Sequence, residues 1–115
     1  MYCKNSNEVS KNDIPKTKRA KIALLSPEEE KDFLVRKITI EVDGSMPNHI
    51  NKIQHQQYVL DGEAKVVVGE KTYHAKKGDF IYIPAGISHS YEACYGAGYE
   101  FLCMITTNED TITML

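Results

Sequence analysis

The chain lacks an excess of either charge: 14 Lys and Arg stand against 16 Asp and Glu, a formal net charge of -2 over 115 residues. Holding nucleic-acid phosphates needs a basic surplus, so nucleic acid is not an expected partner. No run approaches the roughly 20 apolar residues that cross a bilayer, and the polar start from Met1 to Asn7 leads into no apolar stretch of signal-peptide length. The expectation is a cytoplasmic protein without a membrane partner. Cysteine is scarce and odd in number, with Cys3, Cys94 and Cys103 forming no Cys-x-x-Cys pair, which excludes a disulfide framework and reads as free thiols. Sustained helical periodicity, internal repeats, a Ser-His-Asp arrangement, a phosphate loop and a pair of acids in a catalytic setting are also missing. The length suits one domain, and 42% hydrophobic with 26% charged residues allows a packed core.

What is present is a period of two. Leu34, Arg36, Ile38, Ile40 and Val42 fall on one face, and Thr39 and Glu41 on the other, the mark of a half-buried strand. Asp43-Gly44 and Asp61-Gly62 carry turn chemistry and are expected to turn the chain. Further extended runs follow at Gln57 to Leu60, Ala64 to Val68, Phe80 to Ile83 and Tyr99 to Thr107, punctuated by Gly69-Glu70, Lys77-Gly78-Asp79, Pro84-Ala85-Gly86 and Gly96-Ala97-Gly98. Short strands with turns every 8 to 12 residues or about that indicate an all-β sandwich or barrel. Ser26-Pro27-Glu28-Glu29-Glu30 reads as a turn or one helical turn between two strands. In the first 21 residues Lys4, Lys11, Lys16, Lys18, Arg19 and Lys21 outnumber Glu8 and Asp13, as in a solvated tail that then joins a sheet edge. The expected organisation is an arm and edge strand over 1–32, a barrel core over 33–107 and a tail over 108–115.

The histidines carry most of the functional information. His49 and Asn51 are two apart and share a side of an extended segment, His55 has the same parity, and His89 follows the Pro84-Ala85-Gly86 bend. Imidazoles converging inside a barrel need partners, and a metal ion satisfies them. From spacing alone, scattered surface or hydrogen-bonded histidines are an equal reading. The run Gly78-Asp79-Phe80-Ile81-Tyr82-Ile83-Pro84-Ala85-Gly86-Ile87-Ser88-His89 resembles the second signature motif of the cupin superfamily, with Ala93 where an Asn often ends it. His49 and Gly62 match the ends of the first motif, with Asn51 where the second histidine would stand and His55 at the glutamate position. The resemblance, over about Phe33 to Thr107, implies a small antiparallel β-barrel of jelly-roll type (a double-stranded β-helix). Within it the sequence resembles the small single-domain cupins whose metal, often manganese, is held by four histidines, from which Asn51 is the sharpest departure. The implied ligands are His49, His55 and His89, with Asn51 as a fourth ligand or a hydrogen-bonding neighbour of the site. His74 belongs to neither motif.

A set without carboxylate leaves a divalent ion its full charge, so a bound water becomes more acidic and an anionic substrate is held more strongly. The metal could be Mn, Fe, Ni, Cu or Zn: nitrogen ligation favours the later metals, and manganese rests on the resemblance. Arg36 on an apolar inward face, Tyr91 in phase with His89, and Cys103 in phase with Phe101 and Ile105 are the expected pocket residues. Each also has a structural reading, as an ion pair, a space-filling ring and a buried thiol. The expected function is a metal-dependent enzyme of dioxygenase type acting on a small oxygen-rich or anionic substrate. A non-redox isomerase, lyase or decarboxylase and a non-catalytic metal- or metabolite-binding module are the alternatives. A homodimer is expected, because small barrels must protect their edge strands and related cupins pair, with residues 1–32 able to cross to the partner.

Overall fold

The computed structural model of the chain describes residues 2–107 and 110–115. After a single 3-10 turn at Ser6–Glu8 come nine strands: β1 (Asn12–Asp13), β2 (Lys18–Leu24), β3 (Leu34–Asn51), β4 (His55–Val68), β5 (Lys71–Lys76), β6 (Phe80–Ile83), β7 (His89–Ala93), β8 (Tyr99–Ile105) and β9 (Ile112–Met114). All pair antiparallel, and no α-helix occurs among the described residues.

Two long strands build the barrel. The first half of β3 pairs with β2 and β8, and its second half pairs with β7 and β9. The first half of β4 likewise pairs with β6 and β8, and its second half with β5 and β7. Each long strand therefore belongs to both layers of a jelly-roll, and the circuit β3-β8-β4-β7 closes the sheet on itself, removing most of its edges.

The expected turns at Asp43-Gly44 and Asp61-Gly62 are bends inside β3 and β4, not reversals. Asp43 has φ 66° and Gly62 φ 80°, and the ladder between β4 and β8 shifts register between Val59 and Asp61. Left-handed residues and bulges are what a strand needs to bend from one layer to the other, so turn chemistry appears where the chain changes partners. The bend also ends the inward phase of β3: Leu34, Ile38 and Ile40 are buried, while Val42 is exposed. Ser26 to Glu30 forms a turn between β2 and β3, with Glu30 N–H donating to the Pro27 carbonyl.

Alternation fills the interior. In β8, Tyr99, Phe101, Cys103 and Ile105 point inward and are almost fully buried. Tyr91 stacks on Phe101 at 5.2 Å, and Tyr99 lies 5.3 Å from the same ring. This aromatic column fills one half of the barrel, each ring contributing on the order of 2 kcal/mol by burial. The polar groups collect in the other half.

Candidate metal centre

His49 and His89 are direct partners across the β3–β7 ladder, and their ring centroids lie 4.2 Å apart. Asn51 follows on the same inward face of β3. His55 arrives differently: after Asn51 the chain bends and leaves the layer, and His55 opens β4 opposite Ile83 of β6. Its ring stands 6.3 Å from that of His89. All four residues are at most 5% exposed and line one cavity of about 50 Å³, room for an ion and a water or two.

The hydrogen bonds fix which nitrogens face inward. His49 Nδ1 lies 2.8 Å from the Pro47 carbonyl, and His89 Nδ1 lies 2.9 Å from the Ile87 carbonyl. A carbonyl only accepts, so each Nδ1 carries the hydrogen and each Nε2 a lone pair, the tautomer of a metal-ligating histidine. Among the described residues no hydrogen bond reaches either Nε2. Burial lowers the proton affinity of both rings, that of His89 to about 4, so both lone pairs are free at neutral pH. The Asn51 amide is oriented by Asp110, whose Oδ2 accepts from Asn51 Nδ2 at 2.9 Å. Its Oδ1 is thereby left buried without a hydrogen-bond donor. Leaving such an acceptor unmet costs about 1 to 3 kcal/mol, and a cation among these atoms would meet it. The donor set fits a divalent transition metal. As the side chains stand, no three of His, Cys, Asp and Glu among the described residues are drawn to one ion position.

His55 has both nitrogens engaged. Nε2 donates to Asp110 Oδ2 at 2.7 Å, and Nδ1 faces Cys103 Sγ at 3.1 Å. Burial alone would lower its proton affinity, but the bonds to Cys103 and Asp110 outweigh burial and raise it. Burial pushes the Cys103 thiol up, and His55 with Arg36 pulls it below the ordinary value. Both directions favour moving the thiol proton onto the ring. Arg36 Nη2 donates to Cys103 Sγ at 3.2 Å, while Arg36 Nε is buried without a partner. Tyr91 accepts from Gln57 Nε2 at 2.7 Å, and burial raises its hydroxyl pKa well above the ordinary value. Arg36 and Tyr91 both line the cavity, and Cys103 adjoins it through His55.

The three thiols are free, Cys3 exposed and Cys94 half-buried. His74 stands apart, half-exposed on β5, 3.2 Å from Glu63. Asp110 escapes the sequence reading. Gln57 alternates in phase with His55, which is a usable signal. Asp110 follows both motifs, and only the pairing of β9 with β3 brings its segment to the site.

A pH prediction follows from the neutral pair. In the unfolded chain these rings take up protons near 6.5, whereas folded His89 resists until about 4. The unfolded chain therefore binds more protons in that window, and the stabilising share of His89, on the order of 3 kcal/mol, is complete above 6.5 and lost as pH falls toward 4. His55, with the opposite shift, contributes below 6.5 and loses its share as pH rises through its folded value, so it partly offsets His89. Carbon-13 NMR of the imidazoles in metal-free protein is expected to show His89 neutral at pH 5. A midpoint near 6.5 would contradict the buried tautomer.

A mostly apolar opening of about 230 Å³ adjoins the inner cavity, sharing Ile14, Met46, His49 and Ile112 with it and adding Pro15, Lys16, Thr17 and Met114. Methionines at such an opening adapt to a ligand's shape.

A closed jelly-roll with inward histidines on β3, β4 and β7 defines a small-barrel protein with a polar site inside. The chain belongs to the cupin family: the cupin-domain profile matches residues 36–105. Its fold is similar to that of the polyketide cyclase RemF from Streptomyces resistomycificus, with TM-score 0.90 and 22% identity, covering 100% of this chain and 85% of that one. A cupin 2 conserved barrel domain protein from Rhodopseudomonas palustris aligns with TM-score 0.83 and 19% identity over 93% of this chain and 77% of that one. A predicted oxalate decarboxylase from Thermotoga maritima aligns with TM-score 0.77 and 25% identity over 90% and 96%. No curated protein sequence matches significantly. No helix among the described residues is long and apolar enough to cross a membrane.

Proposed function

We propose that the chain is a metal-dependent cupin enzyme acting on a small substrate with an anionic or enolisable oxygen at one end and an apolar body at the other. The observation that supports it most is the convergence of two free imidazole Nε2 atoms and an unmet amide oxygen on one buried cavity. His49, His55, His89 and Asn51 would hold the ion, His55 giving up its Nε2 hydrogen to do so. When bound, the ion supplies a Lewis acid that draws electron density from a substrate oxygen.

The remaining work falls to the chain's own groups. Arg36 Nε, buried and unpartnered, is a fixed donor for an anionic oxygen, needing no bond to be broken first. Tyr91 accepts from Gln57 and keeps its own hydrogen free to donate; its raised pKa holds that proton until a more basic oxygen develops. The opening lined by Ile14, Met46, Ile112 and Met114 would take the apolar body. These features support a reading of proton transfer next to a carbonyl, as in a lyase, cyclase or decarboxylase, with the dioxygenase expected from sequence as its rival. Three imidazoles on a redox-active metal favour the dioxygenase as the second reading.

The test is a screen of small dicarboxylates and β-dicarbonyl acids against zinc- or manganese-loaded protein under nitrogen. Turnover without oxygen supports the proposal. Turnover that requires an oxidisable metal and consumes oxygen moves the protein to the dioxygenase class. Saturable binding without turnover in either atmosphere makes it a binding module.

A further inference from the structure

We propose that Asp110 is a metal ligand, its Oδ2 joining His49, His55 and His89 at the ion. This rests on the metal-binding reading above and adds a ligand that neither sequence motif contains. Asp110 lies beyond the segment matched by the cupin profile.

The geometry is that of two neighbouring ligands without their ion. Donors on a transition metal, each about 2.0 to 2.1 Å from it, stand about 2.9 Å apart at right angles and about 3.3 Å apart at tetrahedral angles. His55 Nε2 and Asp110 Oδ2 are 2.7 Å apart, and both side chains are buried, 6% and 7% exposed. On binding, the Nε2 proton would leave to solvent and the Cys103 thiol proton would pass to Nδ1, so that His55 ligates as a neutral imidazole. The carboxylate is already aimed: Asp110 Oδ1 accepts from the Ile53 N–H at 3.1 Å, and Oδ2 accepts from Asn51 Nδ2. The Asn51 amide then bridges the site, its nitrogen on the carboxylate and its oxygen free for the ion.

Two things hold Asp110 there. The β9 strand pairs Met114 with His49 and Ile112 with Asn51, and Lys52 N–H donates to the Thr111 carbonyl. The carboxylate thus stands just before the strand that lies against the ligand-bearing end of β3. Its negative charge also revises the inference of a ligand set without carboxylate: His55 replaces a glutamate in the first motif, and Asp110 restores the anion from elsewhere in the chain. With it the ion carries one positive charge less, so anions are held less strongly and hard metals such as manganese or iron gain ground relative to an all-imidazole set.

The experiment compares native protein with Asp110→Asn, which keeps the size and loses the charge, by competitive titration of manganese and zinc and by the visible spectrum of the cobalt-loaded forms. The expected result is manganese affinity at least 100-fold weaker, zinc affected less, and altered cobalt ligand-field bands. Weaker binding with an unchanged cobalt spectrum would mean that Asp110 orients His55 from outside the coordination sphere, and would overturn the proposal. Unchanged affinity would overturn it too, while leaving the metal site standing. If native protein takes up no metal, the metal-binding reading itself fails and this inference with it. Should Asp110→Asn not fold, as judged by circular dichroism, Asp110→Glu is read instead: a shifted cobalt spectrum supports ligation and an unshifted one overturns it.

Discussion

Gly62→Ala is expected to lower the unfolding free energy by about 4 kcal/mol or more, a size reached only by a few kinds of substitution. Two effects add at this position. Gly62 has φ 80°, a conformation that costs a residue with a Cβ on the order of 1 to 2 kcal/mol. A methyl group there would also stand 1.8 Å from the Gly98 carbonyl oxygen and 2.6 Å from its carbon, both backbone atoms that no rotamer change can move. Relief requires β4 to shift away from the start of β8, where Glu63 N–H donates to the Gly98 carbonyl and Gly62 pairs with Tyr99. Gly78→Ala and Gly96→Ala are the controls. Both glycines have positive φ but open space around the missing Cβ, so each should cost only the backbone share, on the order of 1 kcal/mol. Urea unfolding with a constant m-value reads the three variants together. A cost at Gly62 no larger than at Gly78 would contradict the close approach of β4 and β8 at the bend.

The second large effect is on metal binding. His49→Ala/His89→Ala removes both free Nε2 donors and leaves the ladders of β3 and β7, which are backbone bonds, in place. Affinity for zinc is expected to fall at least about 100-fold, since disturbing even the partners of a ligand costs about 10- to 100-fold. The consequence is visible in melting curves. Ligand at 100 times its Kd adds about 2.7 kcal/mol to the stability of the folded form, which raises the Tm of a domain this size by on the order of 10 °C. Native protein should show that rise with added zinc, and the double variant should melt at one temperature with or without it. A rise of equal size in both would place the metal elsewhere.

How much of this was legible in sequence depends on the range of the interaction. The inward phases of Leu34 to Ile40 and of Phe101 to Ile105 were readable because a strand repeats every two residues, and the barrel class followed from them. Asp43-Gly44 and Asp61-Gly62 misled, because left-handed backbone serves a reversal and a bend equally well. Which of the two occurs depends on strands far away in sequence. His55 reached the expected side by an unexpected route: parity along a continuous segment put it beside Asn51, but the chain leaves the layer after Asn51 and His55 faces the cavity from β4. Asp110 had no local signal. Its approach depends on β9 pairing with β3 across some sixty residues of chain, a pairing three residues long that no alternation in 108–115 announces.

The most direct test of the central claim is the metal content of the native protein, purified without a chelating tag or added metal and measured by elemental analysis. The geometry of His49, Asn51, His55 and His89 predicts about one transition-metal ion per chain, or uptake of about one on reconstitution. No metal as purified and none after reconstitution would contradict it, and would make the buried histidines structural.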